Sequence, residues 1–307
     1  MLTSFFGKST PVNIIAVVLF MAAFFVFANF QEWFLNLGLQ PFFEKLGVLL
    51  CFILSVLVLN FIAKKNELTK RSAYKILLFA IFSSSFFALL KNDQAIVANL
   101  FILLAFRRII SLKSRKVVQQ KIFDATFWIC IASLYYFWSV LFLAVVFVGI
   151  IFYASYVKNL LIPLIAFLAV LSLTECFHLL VYDSFYTFAE WYQPVNLNFG
   201  NYQELELLVP LSIILALLLW TLMSYFSVIQ KASITRRPVL NLVLFSLAVS
   251  LCVAVLSHQK DGSEFIFFFV PLSIIASNYF DSKKDRVFKE VLLVLLILMP
   301  FAVPLFF

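Results

Sequence analysis

Residues 122–156 read IFDATFWICIASLYYFWSVLFLAVVFVGIIFYASY, with Asp124 as the only charge. A helix packed on a soluble core keeps one polar face, and this stretch has none. As a single helix it would measure about 50 Å, far longer than a hydrocarbon core about 30 Å thick. We read it as two short membrane spans, 122–138 and 140–157, joined near 135–139.

The same reading extends outward along the chain. Of its 307 residues 64% are apolar and 12% charged, where a soluble domain is about half apolar and about a quarter charged. A soluble enzyme is excluded, and the net charge of +8 concerns topology rather than nucleic acid. Further spans are expected at 12–30, 46–63, 75–90, 94–106, 160–181, 207–229, 239–257, 265–280 and 291–307. The fold class is an all-α polytopic membrane protein of about 11 transmembrane helices. The short 94–106, the divided 122–157 and the terminal 291–307 set a range of 9–12. Residues 1–307 form one helical domain, because the spans leave no room for a soluble one. Only Lys8 precedes the first apolar run and no small-residue cleavage site follows, so that run is read as a retained span.

Charge sets the orientation. With the N-terminus cytoplasmic, 20 of the 23 basic residues fall on the cytoplasmic side, and only Lys45, Lys91 and Lys260 fall outside. That bias is the positive-inside pattern. The clusters KKNELTKR and RRIISLKSRK supply much of it and also attract anionic headgroups. Ten of the fifteen acids lie toward the outside, leaving +15 within and −7 without. Acids contribute little to insertion, so the outer excess is either loop solvation or an acidic site.

Cys51, Cys130, Cys176 and Cys252 are isolated in apolar runs and read as small hydrophobes, with no disulfide or redox pair. The 40 phenylalanines, spread through nearly every span, read as lipid-facing bulk. VPLSII occurs at 209–214 and 270–275, each copy opening a helix whose first turn tolerates proline.

Four outer features carry polar chemistry. Glu175 and His178 stand three apart on one helical face, one turn from the outer surface, with Asp183 just beyond. They read as an interhelical tie, a proton-handling pair or part of a metal site. The long external loop, 182–206, is rich in aromatics including Trp191 and Tyr192. It is expected to lie in the interface, where such rings have an apolar body and a polar tip, or to cover a sugar or headgroup. The turn HQKDGSE concentrates His258, Lys260, Asp261 and Glu264 at a helix start. In the first loop, Glu32 and Glu44 flank Trp33 and Phe34, where a carboxylate suits a general base or a divalent cation. Whether any metal or other cofactor is bound stays open. GxxxxGK[ST], GxSxG, HExxH and GxGxxG are absent, which removes the usual signals for those chemistries.

The opening MLTSFFGKSTPVN, the many phenylalanines and the span pattern resemble an uncharacterised family of integral membrane proteins from Bacteroidota, chiefly flavobacteria. That resemblance implies the bacterial inner (cytoplasmic) membrane. HQKDGSEFIFFFVP and the first-loop acids are also similar to multispan polyprenyl-phosphate-sugar-dependent glycosyltransferases. Those enzymes carry an acidic catalytic residue in the first external loop and a His-Lys-acid-Arg-Phe stretch before a late span. The arginine and a paired acidic motif are missing here.

The resemblance implies sugar transfer from a polyprenyl-linked donor. Glu32 or Glu44 would activate the acceptor, His258 and Glu264 would position the carrier, and 182–202 would cover the donor. Two other readings stand beside it. One is a non-catalytic subunit or scaffold of an envelope complex, with protein partners. The other is a transporter of a small solute or lipid, with Glu175, His178 or Asp124 meeting at mid-membrane. Membrane lipids are the expected partners in all three.

Overall fold

The computed structural model describes residues 2–34, 38–282 and 285–302. Among them the secondary structure is entirely helical. The longer helices are α1 (Pro11–Ala28), α2 (Leu39–Lys65), α3 (Tyr74–Ser84), α4 (Asp93–Ser111), α5 (Val118–Tyr135), α6 (Leu143–Tyr153), α7 (Ile162–Tyr182), α8 (Leu205–Lys231), α9 (Arg237–Leu256), α10 (Ile266–Phe280) and α11 (Arg286–Ala302). Among the described residues, seven segments are long and apolar enough to cross a membrane: Pro11–Ala28, Leu39–Lys65, Asp93–Ser114, Val157–Tyr182, Leu205–Lys231, Arg237–Leu256 and Ser263–Phe280. Tyr74–Ser84 and Phe137–Tyr153 are shorter apolar helices.

Local sequence accounts for several boundaries. The Thr10 hydroxyl accepts from the Asn13 N–H at 3.4 Å, and Pro11 follows in the first turn, where its missing N–H costs nothing. In 122–156 the chain leaves the helix at Tyr136, with φ −141° and ψ 99°, then resumes through a 3₁₀ turn, Phe137–Phe142. The break falls within 135–139, where the long apolar run is expected to divide.

Other expectations are corrected. The stretch 75–90 is not one helix: it parts at Ser85, between α3 and Phe87–Lys91. The first loop is shorter than expected, because α2 begins at Leu39 and takes Glu44 and Lys45 into its first two turns. Both VPLSII prolines lie inside helices, since α8 starts at Leu205 and α10 at Ile266. The last expected span runs beyond residue 302; positions 303–307, like Lys283 and Lys284, lie outside the described residues.

Burial separates the centre from the rim. Of Ser263–Phe280, 94% is buried within the protein, against 17% of an 18-residue apolar stretch within Val157–Tyr182. The first is the axis of the bundle and the second an edge helix. All of α3 is buried beside that axis. Phenylalanine is not only lipid-facing bulk: Phe79, Phe82, Phe86, Phe267, Phe268 and Phe269 are fully buried. Lipid tails are as apolar as these rings, so packing contacts rather than water exclusion hold them together. Buried Ser83, Ser246, Ser250 and Ser273 each donate to a carbonyl three or four residues back, which satisfies the hydroxyl without a partner helix.

The long-range polar ties fall at two ends of the bundle. At the basic end Lys70 N donates to Asp281, Arg108 pairs with Asp124, and the Leu2 and Thr3 backbone N–H groups reach Glu290. At the acidic end Lys45 meets Asp93, Asn92 meets Ser263, and Tyr136 meets Ser257.

Candidate functional site at the acidic end

The acidic end is organised by the start of α4. Asn92 caps that helix, its Oδ1 accepting from Ala95 N at 3.0 Å. Its Nδ2 donates to Gln259 Oε1 at 2.7 Å and Ser263 Oγ at 3.0 Å, which ties α4 to the 258–264 turn. The next residue, Asp93, accepts from Lys45 Nζ at 2.8 Å. The same ammonium reaches Glu32 Oε2 at 2.9 Å and Asn29 Oδ1 at 3.3 Å. Asn29 Nδ2 donates to Phe25 O and Leu90 O, each at 3.0 Å. One cation thus joins two carboxylates and an amide, leaving one net negative charge. The Lys45 side chain is 10% exposed, whereas Glu32 is 43% and Asp93 36% exposed. The lysine is the buried partner and the acids face outward.

The 258–264 turn is held from within. Asp261 Oδ1 accepts from Ser263 N at 3.0 Å and from Ser263 Oγ at 2.6 Å. Gly262 takes φ +95°, where a Cβ would also lie 2.8 Å from Phe86 Cδ1. Lys260 Nζ donates to the Ala254 and Val255 carbonyls at the end of α9, at 2.5 and 2.7 Å. Burial pulls its ammonium below the ordinary lysine range, and the nearby Glu264 carboxylate opposes that shift. Glu264 is completely buried; it accepts from Gly262 N at 3.0 Å and from the Tyr202 hydroxyl. Burial, then the Glu264 carboxylate, pushes the Tyr202 phenol well above its usual value.

Between these parts lies a depression of about 440 Å³ lined by Lys91, Asn92, Asp93, Gln94, Gln259 and Asp261. A separate apolar groove of about 420 Å³ runs between α8 and α11, past Val209, Pro210, Ile213, Leu295 and Leu298. Glu206 stands at its end, within electrostatic reach of Lys91.

Glu32, Lys45 and Asp93 therefore share one set of side-chain contacts, and Asn92, next to Asp93, ties it to the turn that contains Glu264. Two other residues expected there do not join it. Glu44 is exposed and, among the described residues, meets Gln40 at 3.0 Å, because it lies one position before Lys45 on the same helix. The His258 side chain is exposed, and among the described residues its carbonyl is the group used, accepting from Asn196 Nδ2 at 3.0 Å.

Glu175 and His178 form a second, separate group. Each turns to the 182–206 loop rather than to the other. Glu175 Oε2 accepts from Tyr186 N at 3.1 Å, and His178 Nε2 lies 3.9 Å from Glu190 Oε2. The imidazole packs on Tyr182 and Tyr186, with ring centroids 4.8 and 4.9 Å away. Asp183 is exposed and ends α7 in the left-handed region. Trp191 Nε1 donates to Ser133 O at 3.0 Å, and Trp191 and Tyr192 both stand edge-on to Phe137. This group fastens the loop to α5, α7 and the Phe137 turn.

Asn29, Lys45, Asn92, Asp93 and Tyr202 were not singled out from the sequence. A signal existed for Lys45, one of three basic residues on the acidic side. Among the described residues no group of three or more His, Cys, Asp or Glu side chains is placed to hold a metal ion.

No curated protein and no solved structure matches the chain significantly. Residues 4–304 match one family, described as "Family of unknown function (DUF6427)", and the chain belongs to that family.

Proposed function

We propose that the protein crosses the inner membrane of a bacterial envelope through eleven helices, with a cytoplasmic N-terminus. We further propose that it transfers a sugar from a polyprenyl-linked donor at the outer leaflet. The observation that carries this reading is the pairing of two cavities. The apolar groove between α8 and α11 ends at Glu206, which is within electrostatic reach of Lys91, a residue lining the polar depression over Asn92 and Asp93. A lipid-linked phosphate requires that combination: an apolar channel for the chain and a cation for the charge.

Glu32 is the residue assigned to activate the acceptor. Its carboxylate lies 2.9 Å from the Lys45 ammonium and remains partly exposed. Glu264, buried under Tyr202, holds the turn in place instead of touching substrate. Glu44 and His258 stand away from the connected cluster, so neither is given a role. Transfer by the purified protein in vesicles, from a polyprenyl-phosphate sugar to an added acceptor, tests the reading. Glu32→Gln should abolish transfer at unchanged membrane abundance; full transfer by that variant would contradict the assignment.

A non-catalytic scaffold is the second reading. It is favoured by Lys45 and Glu264 having their polar bonds filled from within the chain. It expects stable copurification with an envelope partner and no effect of Glu32→Gln on any transfer step. A transporter is less well supported. Asp124 is paired with Arg108 at the basic end, and Glu175 and His178 sit near the acidic end of an edge helix.

A further inference from the structure

At the opposite end of the bundle, two basic clusters far apart in sequence converge. Lys65 ends α2, Arg107 and Arg108 lie in the last turns of α4, Lys113 follows in a 3₁₀ turn, and Lys121 lies in the first turn of α5. All five line one cavity of about 390 Å³. Positive-inside topology requires basic residues on one side of the bilayer; it does not require them to surround a single hollow.

The local charges do not cancel. Arg108 pairs with Asp124 at 3.0 Å, and Lys121 Nζ donates to Ser111 O at 2.8 Å and Ser114 Oγ at 2.6 Å. Among the described residues Lys65, Arg107 and Lys113 have no carboxylate partner. The ends of α2 and α4 contribute roughly half a negative charge each. With Asp124 that is about −2 against five cations, so roughly three positive charges remain. Lys65 and Arg107 lie over the Phe61 ring, 5.3 and 5.0 Å from its centroid, which keeps both at the rim.

The hollow also opens on an apolar track. Leu50, Leu54, Leu57 and Phe61 of α2 are 53, 46, 40 and 44% exposed, and their spacing of four, three and four puts them on one face. That face leads into the cavity at Phe61. A chain-bearing anion would lay its tail along these residues and its head among the cations.

We propose that this cavity binds a phosphate-bearing anion, of the kind an anionic phospholipid headgroup presents. Lys65, Arg107 and Lys113 supply the free charge, and the Ser114 hydroxyl donates a further hydrogen bond. Arg108 and Lys121 shape the wall through their existing bonds.

Native mass spectrometry of the full chain in detergent tests this, with phosphatidylglycerol, phosphatidylcholine or inorganic phosphate added in turn. The wild type should retain phosphatidylglycerol over phosphatidylcholine. Changing Lys65, Arg107 and Lys113 together to Gln should weaken retention at least about tenfold. The same charge removed at exposed Lys116, Lys158 and Arg286 should change it by less than about twofold. Inorganic phosphate bound by the wild type and lost in the pocket variant, with no lipid preference, would support the site and assign it a soluble ligand. Equal losses in both triple variants, or none in the pocket variant, would overturn it. Should the triple variant unfold, Lys113→Gln alone, at an exposed position, is expected to show a smaller loss in the same direction; an unchanged affinity would overturn the proposal.

Discussion

The Lys45 ammonium lies 2.8 Å from Asp93 Oδ1, joining α2 to the first residue of α4 across 48 positions of sequence. The same ammonium holds Glu32, so the turn after α1 shares one cation with α2 and α4. Lys45→Met removes it and leaves two carboxylates facing each other. Both acids are more than a third exposed and regain water, so the loss should be about 1–3 kcal/mol, below that for a fully buried pair. Thermal unfolding in detergent measures it. Adding Asp93→Asn to Lys45→Met should recover part of the loss, since it relieves the repulsion.

Gly262→Ala should destabilise the acidic end by more than about 1 kcal/mol. The residue has φ +95°, and a Cβ there would stand 2.8 Å from Phe86 Cδ1 and 3.0 Å from Leu207 Cδ2. A lowered thermal midpoint is the readout; an unchanged one would mean that the turn adopts another backbone conformation.

Tyr202 makes stability depend on alkaline pH. Its phenol is raised in the folded state, so folding favours the protonated form. The unfolded chain releases that proton near pH 10 while the folded chain retains it. The contribution of Tyr202 is therefore fully present below about pH 10 and declines as pH rises further. Tyr202→Phe should flatten this part of the pH–stability curve, measured as the slope of the thermal midpoint against pH. An unchanged slope would contradict the burial of the phenol against Glu264.

Asn99, in α4, is completely buried, and among the described residues neither its Nδ2 nor its Oδ1 has a hydrogen-bond partner. An unpartnered buried amide costs on the order of 1–3 kcal/mol. Asn99→Leu keeps the number of side-chain heavy atoms while removing the unpaired amide, and should leave stability unchanged or raise it. A marked fall in the thermal midpoint would reveal a bond that the amide makes to a group outside this chain.

Much of the helical architecture is legible in the sequence, because solvent matching is a local property. The break at Tyr136 follows from the length of one apolar run against the bilayer, and α1 announces itself through Thr10 and Pro11. What a helix packs against is not local. Ser263–Phe280 is the less hydropathic of the two, yet it is the core and Val157–Tyr182 the rim. The break at Ser85 and the capture of Glu44 and Lys45 by α2 likewise depend on neighbouring helices. Glu264 reads as a solvated turn residue beside Asp-Gly, but Tyr202 folds over it from 62 positions away. Glu32 was legible as a candidate; the lysine that controls it was legible only as an exception to the charge bias.

The most direct test of the account is which side of the membrane each end of the bundle faces. Single cysteines replace exposed Leu197 at the acidic end and exposed Lys116 at the basic end, in a chain from which Cys51, Cys130, Cys176 and Cys252 have been removed. Cells with a permeabilised outer membrane are then treated with a membrane-impermeant maleimide. Labelling of Leu197→Cys, with Lys116→Cys protected until the inner membrane is lysed, is the predicted result. Labelling of Lys116→Cys in intact inner membranes, with Leu197→Cys protected, would place the polar cluster on the cytoplasmic side and contradict the proposed outer-leaflet chemistry.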